Sequence, residues 1–303
     1  MKKLLMTIIL GVLMLSCSNI KDEKIIKIEK VEISYSMVEQ AIALDDAMSL
    51  KLFLENGFNP NYRSVDGETL LMKIVKNNSL KSLKEIINYG VELEMETPFE
   101  KMRNIISYKE TKRAIDFVRS KKALEILIEA GSDINYINNQ GIPLIINFIK
   151  MKSDSYVKEL ILNKVDLNIA DSDQWTPLMW ATSKRNKEVV KLILENKVDI
   201  NKIDDRKNSA IYYAYDEDII IMLLTKNLNL NYKNKDGENI LGEVYLRSIS
   251  NSYYDAVKKI IEIGSDKNYS SYGDKPIKIA RKNKDEKMVE LLLKLGVEDD
   301  EKN

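Results

Sequence analysis

The sequence predicts an all-α repeat solenoid, in which helix pairs stack side by side and are joined by β-hairpin or turn fingers. The first observation behind this prediction is a recurring asparagine, at Asn61, Asn135, Asn168, Asn201, Asn231 and Asn268. Asn135, Asn168 and Asn201 are spaced 33 residues apart, and Glu94 lies 33 residues after Asn61. A fixed period of this length is typical of stacked supersecondary units, each of which buries its apolar face only against its neighbours.

The second observation is a constant spacing inside each unit. Sixteen residues separate a small or apolar residue from a glycine in three units, Ala41 to Gly57, Ile74 to Gly90 and Ala280 to Gly296. The glycine is expected to end a helix, because the residue after a helix often turns left-handed and only glycine does so without a Cβ penalty. In this register residues 37–303 hold about eight helix pairs, of which the first and last act as caps.

The clearest unit covers residues 171–201. Thr176 is predicted to cap a helix that begins at Pro177, because the missing N–H of proline costs nothing at the first helical position. Val189 to Leu194 predict a second helix that is apolar on more than one face, and Lys197 takes the place of the terminating glycine.

This unit resembles the ankyrin repeat. Thr176, Pro177, Leu178 and Ala181 match the signature Thr-Pro-Leu-His-x-Ala, and Met179 replaces the histidine. The resemblance extends in degenerate form over nearly all of residues 37–303. It implies ankyrin-type helix pairs, and a protein that binds another protein through its finger tips and the concave face of its first helices.

Three intervals depart from the period. The interval from Asn201 to Asn231 is 30 residues, which predicts a shortened helix–helix loop at Asp216-Glu217-Asp218, and that from Asn231 to Asn268 is 37 residues. The interval from Glu94 to Asn135 is 41 residues. If Ile115 lies in the first helix of its unit, residues 95–109 form an elongated finger or an added helical turn. Alternatively, Thr97-Pro98-Phe99 begins that helix and the insertion follows it.

The N-terminus predicts export. Residues 1–16 contain two lysines and then an apolar stretch from Leu4 to Leu15, which is shorter than the ~20 residues that span a bilayer. The sequence Met14-Leu15-Ser16 before Cys17, the only cysteine, resembles the lipobox of bacterial lipoproteins. The resemblance implies cleavage of a signal peptide before Cys17 and lipidation of its thiol. An ordinary secretory signal followed by an incidental cysteine is the alternative interpretation.

Residues 17–36 are then a lipidated tether, with Ile26, Ile28, Val31, Ile33 and Tyr35 partly alternating as in a short strand. The protein is expected to be anchored to a bacterial membrane through its N-terminal lipid, with the repeats facing the periplasm or the cell exterior.

Composition argues against several function classes. Lys and Arg together number 47, as do Asp and Glu, so no net positive charge favours nucleic acid. The sequence has no histidine and one cysteine, which removes the usual general base, the usual nucleophile pairs and most zinc sites. The carboxylate pairs, such as Asp171 with Asp173 and Asp204 with Asp205, lie in predicted turns, where Asp bonds its own backbone. We therefore expect no enzyme, metal, cofactor or small-molecule substrate.

Aromatic residues are the predicted partner-binding sites. Tyr follows the recurring Asn at Tyr62, Tyr136, Tyr232 and Tyr269, although such a ladder also suits packing of hairpin on hairpin. Trp175 and Trp180 lie at finger and concave-face positions of the clearest unit, and Arg206 and Tyr213 belong to the next unit. Exposed Trp, Tyr and Arg are enriched in interface hot spots. Burial of Trp180 between two repeats is the alternative.

The sequence therefore predicts a membrane-anchored interaction module. An inhibitor or immunity-like factor that blocks an envelope enzyme or toxin is a more specific version of this hypothesis. A structural spacer in the envelope is the remaining alternative.

Overall fold

Eight helix pairs, stacked in chain order, make up the described part of the computed structural model, which comprises residues 33–97, 112–229 and 232–299. The α-helices are α1 (Tyr35–Ala43), α2 (Ala47–Glu55), α3 (Leu70–Asn77), α4 (Leu80–Ile87), α5 (Lys121–Glu129), α6 (Leu144–Lys150), α7 (Asp154–Leu162), α8 (Pro177–Ser183), α9 (Lys187–Leu194), α10 (Glu217–Leu224), α11 (Ile240–Ser250), α12 (Tyr254–Glu262), α13 (Pro276–Lys282) and α14 (Glu286–Lys294). The 3-10 turns Ala114–Phe117 and Ala210–Tyr213 replace the first helix in the third and sixth pairs.

The stack has two layers. First helices pack on first helices, as α8 does on α6, and second helices pack on second helices, as α9 does on α7 and α10. Buried apolar side chains from all eight pairs form one continuous core between Val38 and Val297. The repeat solenoid predicted from the period is thus confirmed, because every pair shares its core with its neighbours.

Local signals place the helices as predicted. The hydroxyl of Thr176 accepts a hydrogen bond from the Met179 amide (3.3 Å), and Pro177 is the first residue of α8. Gly57, at the predicted end of a second helix, has a φ of 91°. Two helix boundaries differ from the predicted ones. Helix α9 ends at Leu194, three residues before Lys197, and α1 begins at Tyr35, two residues before the predicted start of the repeats at residue 37.

The recurring asparagine is a clamp between consecutive repeats. Oδ1 of Asn168 accepts a hydrogen bond from the amide of Asp199, two residues before the next asparagine (2.8 Å). The same contact joins Asn61 to Glu92 (2.7 Å), Asn135 to Asp166 (2.8 Å), Asn201 to Asn229 (2.9 Å) and Asn268 to Glu298 (3.0 Å), and the Glu94 carboxylate accepts from Asp133 (2.9 Å). Asn231 lies outside the described residues. The period of the asparagines is therefore the period of an inter-repeat hydrogen bond.

The short sixth unit corrects one prediction. The missing residues come from the first helix, which shrinks to the four-residue turn Ala210–Tyr213, and not from the helix–helix loop, which keeps the length that it has in the fifth pair. Asp216 caps the second helix, because its carboxylate accepts hydrogen bonds from the amides of Asp218 (3.1 Å) and Ile219 (3.4 Å). The seventh unit is longer than average because α11 has 11 residues.

The insertion in the third unit precedes Ala114–Phe117, the first helical element of that unit among the described residues. Ile115 lies in the 3-10 turn that packs against α3, as the first of the two interpretations requires. Two hydrogen bonds between Thr97 and Lys112 hold the ends of the inserted segment together. The amide of Thr97 donates to the carbonyl of Lys112 (2.9 Å), and the amide of Lys112 donates to the hydroxyl of Thr97 (3.0 Å). The rest of the insertion, residues 98–111, lies outside the described residues.

The fingers between pairs are turns closed by single antiparallel bridges, such as Ile203 with Ser209 and Lys233 with Asn239. The predicted signal peptide, Cys17 and the tether up to residue 32 are outside the described part of the chain. Within residues 33–97, 112–229 and 232–299, no helix has the length and apolar character needed to span a membrane.

A candidate binding groove between two fingers

A partly open groove of about 420 Å³ lies beside the fingers of the fifth and sixth pairs. Its lining is aromatic and acidic and consists of Asp173, Trp175, Trp180, Asp204, Asp205, Arg206 and Tyr213. This volume falls within the range of about 300–1,000 Å³ that is common for ligand sites. The groove brings together four of the residues predicted to bind a partner, namely Trp175, Trp180, Arg206 and Tyr213.

Three rings pack in a row along the groove. The ring centroids of Trp175 and Trp180 are 5.0 Å apart, and those of Trp175 and Tyr213 are 4.2 Å apart, in tilted arrangements. All three rings are partly buried and partly exposed. Contacts at these distances stabilise aromatic pairs, so the rings form a pre-assembled surface.

A buried carboxylate fixes the position of Trp180. The indole Nε1–H of Trp180 donates to Oδ2 of Asp171 (2.7 Å). The other oxygen of Asp171 accepts from the amides of Asp173 (3.1 Å) and Trp175 (2.9 Å), which shapes the finger. Asp171 is only 6% exposed. Its carboxylate therefore sets both the turn and the orientation of a Trp in the groove.

Asp204 plays the same part in the next finger. Its Oδ1 accepts from the amides of Arg206 (2.9 Å) and Asn208 (2.8 Å), and its other oxygen accepts from the hydroxyl of Tyr213. Burial raises the pKa of the Tyr213 hydroxyl, and the bond to the Asp204 carboxylate raises it further. The interpretation of these Asp residues as turn formers is confirmed.

Backbone hydrogen bonds connect the neighbouring finger tips. The amide of Asp205 donates to the carbonyl of Asp173 (3.3 Å), and the amide of Lys235 donates to the carbonyl of Arg206 (3.0 Å). Asp173, Asp205 and Arg206 have exposed side chains. Among the described residues, none of these three side chains forms an ion pair or a hydrogen bond. They are charged groups on a fixed backbone that remain available to a ligand.

Two lysines lie over the ring of Trp180. Nζ of Lys150 lies 4.7 Å from the ring centroid of Trp180, and Nζ of Lys184 lies 5.6 Å from it. Cations at these distances are attracted by the ring quadrupole. Trp180 is thus both wedged against the stack, as the alternative interpretation expected, and in part exposed.

Comparison with known proteins agrees with the stacked helix-pair fold. A family model described as ankyrin repeats (3 copies) matches residues 112–204 and 147–236. The crystal structure of the human ASB11 ankyrin repeat domain superposes with a TM-score of 0.52 at 17% sequence identity, covering 67% of this chain and 89% of that one. The fold is that of an ankyrin-repeat solenoid.

Two curated relatives match parts of this chain. A putative ankyrin repeat protein of Acanthamoeba polyphaga mimivirus is 23% identical over 214 residues, which is 68% of this chain and 27% of that protein. A probable serine/threonine-protein kinase of Dictyostelium discoideum is 30% identical over 98 residues, 28% of this chain and 12% of that protein. The chain thus spans about a quarter or less of either relative. Ankyrin repeats indicate a protein–protein interaction module, and such modules are typically non-enzymatic.

The predicted tyrosine ladder packs inside the ankyrin stack. Tyr136 is 3% exposed, and the guanidinium of Arg113 lies 3.8 Å from its ring centroid. Tyr62 packs on Tyr35, with centroids 4.6 Å apart, while Tyr232 and Tyr269 pack against the core. Tyr136 is therefore part of the core, whereas Tyr62, Tyr232 and Tyr269 are only half-buried, so a role of these three rings in binding a partner stays a prediction.

Other groove residues were not predicted from the sequence as binding residues. Asp171 and Asp204 were identified only as turn formers, and Asp173 and Asp205 were grouped with them. The sequence did contain a signal for them. Each finger begins with an Asp, at Asp171 and Asp204, and a second Asp follows within two residues, close in sequence to Trp175 or Arg206. No group of three or more His, Cys, Asp or Glu side chains within the described ranges is arranged to hold a metal ion.

Proposed function

We propose that this ankyrin-repeat chain is an interaction module that captures another protein through the groove formed by Trp175, Trp180, Tyr213 and Arg206. One observation carries the proposal, namely that both Trp residues of the chain meet Tyr213 and an exposed Arg in a single groove. Trp, Tyr and Arg dominate interface hot spots, and rings held in place before binding lose little conformational entropy.

The capture experiment uses crosslinking in the native cell, followed by purification of the full chain and mass spectrometry. Trp175→Ala and Arg206→Glu are each expected to reduce recovery of the crosslinked partner at least about tenfold, the loss expected for a hot spot. Arg206 is exposed, so this second variant tests the groove without disturbing the core. Tyr272→Ala is the control, because Tyr272 is a 90% exposed aromatic residue in the finger of the eighth pair.

Equal recovery with all three variants would place the interface elsewhere and contradict the proposal. If the captured partner is an enzyme or toxin of the envelope, its activity in the presence of the purified chain decides between an inhibitor or immunity-like factor and a passive module. A fall in activity that Arg206→Glu abolishes would identify an inhibitor.

We further propose that the module is exported and lipid-anchored to a bacterial membrane at Cys17, with the repeats in the periplasm or at the cell exterior. The support is the apolar leader and the lipobox-like residues before Cys17. Several acyl chains are needed for stable anchoring, since one chain binds a membrane only marginally. Cys17→Ala should therefore move the protein out of the membrane fraction and abolish labelling by a fatty-acid analogue. Retention of the variant in the membrane fraction would reject the lipid anchor.

A further inference from the structure

The groove carries an excess of negative charge next to aromatic faces. Three carboxylates, from Asp173, Asp204 and Asp205, line it beside the single guanidinium of Arg206. Asp204 is engaged by Tyr213 and by its own finger, whereas the exposed carboxylates of Asp173 and Asp205 have no partner in the described ranges. Carboxylates that lie free at a ring-lined groove attract a cation.

The rings are positioned to receive that cation. Trp180 already has two lysines above it, but among the described residues no cation lies over the ring of Trp175 or Tyr213. A desolvated cation gains more from a Trp or Tyr face than an exposed one does. The faces of Trp175 and Tyr213, which line the groove together with Asp173 and Asp205, are therefore the candidates to receive a cation.

The combination of rings and carboxylates favours a planar cation. The amide of Asp205 donates to the carbonyl of Asp173, so the two residues are neighbours on adjacent fingers. A guanidinium has five donors in a rigid fork and stacks on aromatic rings, whereas an ammonium is a compact and strongly hydrated point charge. An arginine therefore satisfies the rings and the carboxylates together, and a lysine does so less well.

We propose that the groove recognises an arginine side chain in an exposed segment of the partner protein, with its guanidinium against Trp175 and Tyr213 and its N–H groups on Asp173 and Asp205. The inference rests on the proposed function, because it names the chemistry of the partner at the same groove. Arg206, on the same rim, repels a second positive charge and is left to pair with a carboxylate of the partner, so the preferred segment carries an isolated arginine with an acidic neighbour rather than a basic run.

The test uses the intrinsic fluorescence of the full chain, because its two Trp residues both line the groove. The probes are three capped heptapeptides of Gly and Ser with Arg, Lys or citrulline at the centre. Citrulline has nearly the shape of arginine and no charge. The arginine peptide is expected to change the Trp emission with a Kd of about 1 mM, as for a ligand of this size, and the citrulline peptide to bind at least about tenfold more weakly. The lysine peptide should fall between them.

Variants separate the groove from general charge effects. Asp173→Asn combined with Asp205→Asn should weaken the arginine peptide at least about tenfold, because charged hydrogen bonds are lost. Glu188→Gln combined with Glu195→Gln, which removes two exposed carboxylates of the same repeat outside the groove, should leave the affinity unchanged.

Equal affinity for the arginine and citrulline peptides, or no effect of the Asp173 and Asp205 substitutions, would overturn the arginine inference. It would leave the proposed function standing if Trp175→Ala still abolished capture of the partner. Failure of the proposed function, by contrast, would be detected by the capture experiment alone.

Discussion

Asn168 illustrates how one side chain produces the period of the whole chain. Its side-chain oxygen Oδ1 accepts a hydrogen bond from the amide of Asp199 in the next repeat. Its own backbone amide donates to the carboxylate of Asp166 (2.8 Å). The pattern Asp-x-Asn therefore satisfies two backbone amides that no helix can satisfy. The recurrence of this residue was visible in the sequence, but its hydrogen-bond partner was not, since it lies in the neighbouring unit.

Asn168→Ala is expected to lower the free energy of unfolding by about 1 kcal/mol, because it leaves the Asp199 amide without its intramolecular acceptor. Urea denaturation followed by circular dichroism measures the change. Asn77→Ala is the control, as the side chain of Asn77 is exposed and makes no hydrogen bond within the described ranges. An equal effect of the two substitutions would show that the clamp contributes nothing.

Gly242, inside α11, lets the ring of Tyr269 approach the helix. A Cβ at this position would lie 2.5 Å from Cδ1 of Tyr269 and 2.6 Å from Cγ. Replacing a helical glycine with alanine normally stabilises a protein, by roughly 0.5–1 kcal/mol. Here we expect the opposite sign, with Gly242→Ala destabilising by about 1–3 kcal/mol through overpacking.

A double-mutant cycle in thermal unfolding tests this reason for Gly242. With Tyr269→Ala in the background, Gly242→Ala should become neutral or stabilising, since the ring is gone. If the glycine substitution has the same effect with and without Tyr269, the close approach is not the cause.

At the scale of elements, the short sixth pair and the long seventh pair compensate each other. Arg247 lies in the long helix α11, and its Nη2 donates to the carbonyls of Tyr212 (2.8 Å) and Ala214 (3.0 Å). These carbonyls belong to the shortened 3-10 turn and the residue after it, and α11 reaches them from 33 to 35 residues away in sequence. The guanidinium also lies 4.2 Å from the ring centroid of Tyr215.

The interval lengths in the sequence identify both irregular units, but they do not predict how the long helix of one unit packs against the short turn of the other. The 30- and 37-residue gaps mark the deletion and the addition, and the turn residues at Asp216 suggested a loop. Whether a helix or a loop absorbs a deletion depends on what satisfies the freed carbonyls, and here that group comes from another unit. Likewise Tyr136 and Tyr62 occupy the same slot, yet Arg113 covers only the former. Such tertiary contacts leave no local pattern.

Arg247→Met is expected to reduce the free energy of unfolding by about 2 kcal/mol, because it removes the donor from two carbonyls while keeping the bulk of the side chain. The turn that it supports carries Tyr213, so the arginine-peptide affinity of the groove should fall as well. Arg119→Met is the control at an exposed position without described contacts. Unchanged stability in Arg247→Met would show that water replaces the guanidinium at no cost.

On the scale of the whole molecule, folding shifts the pKa values of Asp66, Asp285 and Tyr269 further from neutral pH. The chain has no histidine. The hydrogen bond from Ser64 lowers the pKa of Asp66. Burial alone would raise the pKa of Asp285, but hydrogen bonds from Ser252, the Met288 amide and Tyr254 together lower it. Burial, together with the carboxylate of Glu243, raises the pKa of Tyr269 to about 12.

The melting temperature is therefore expected to be flat between pH 5.5 and 7.5 and to fall on both sides. Asp66 and Asp285 have lower pKa values when folded, so their contribution is present above an ordinary Asp pKa of about 4 and is lost as the pH falls further. Tyr269 has a higher pKa when folded, so its contribution is complete below an ordinary Tyr pKa of about 10 and is lost as the pH rises through about 12.

Thermal unfolding in a series of buffers from pH 3 to pH 12 measures this profile, with Tyr269→Phe as the matched variant for the alkaline side. Phe cannot ionise, so the variant should lose less stability than the natural chain between pH 10 and 12, and both should respond alike to acid. A change of more than about 3 °C between pH 5.5 and 7.5, which corresponds to roughly 1 kcal/mol for a domain of this size, would reveal a strongly shifted carboxylate.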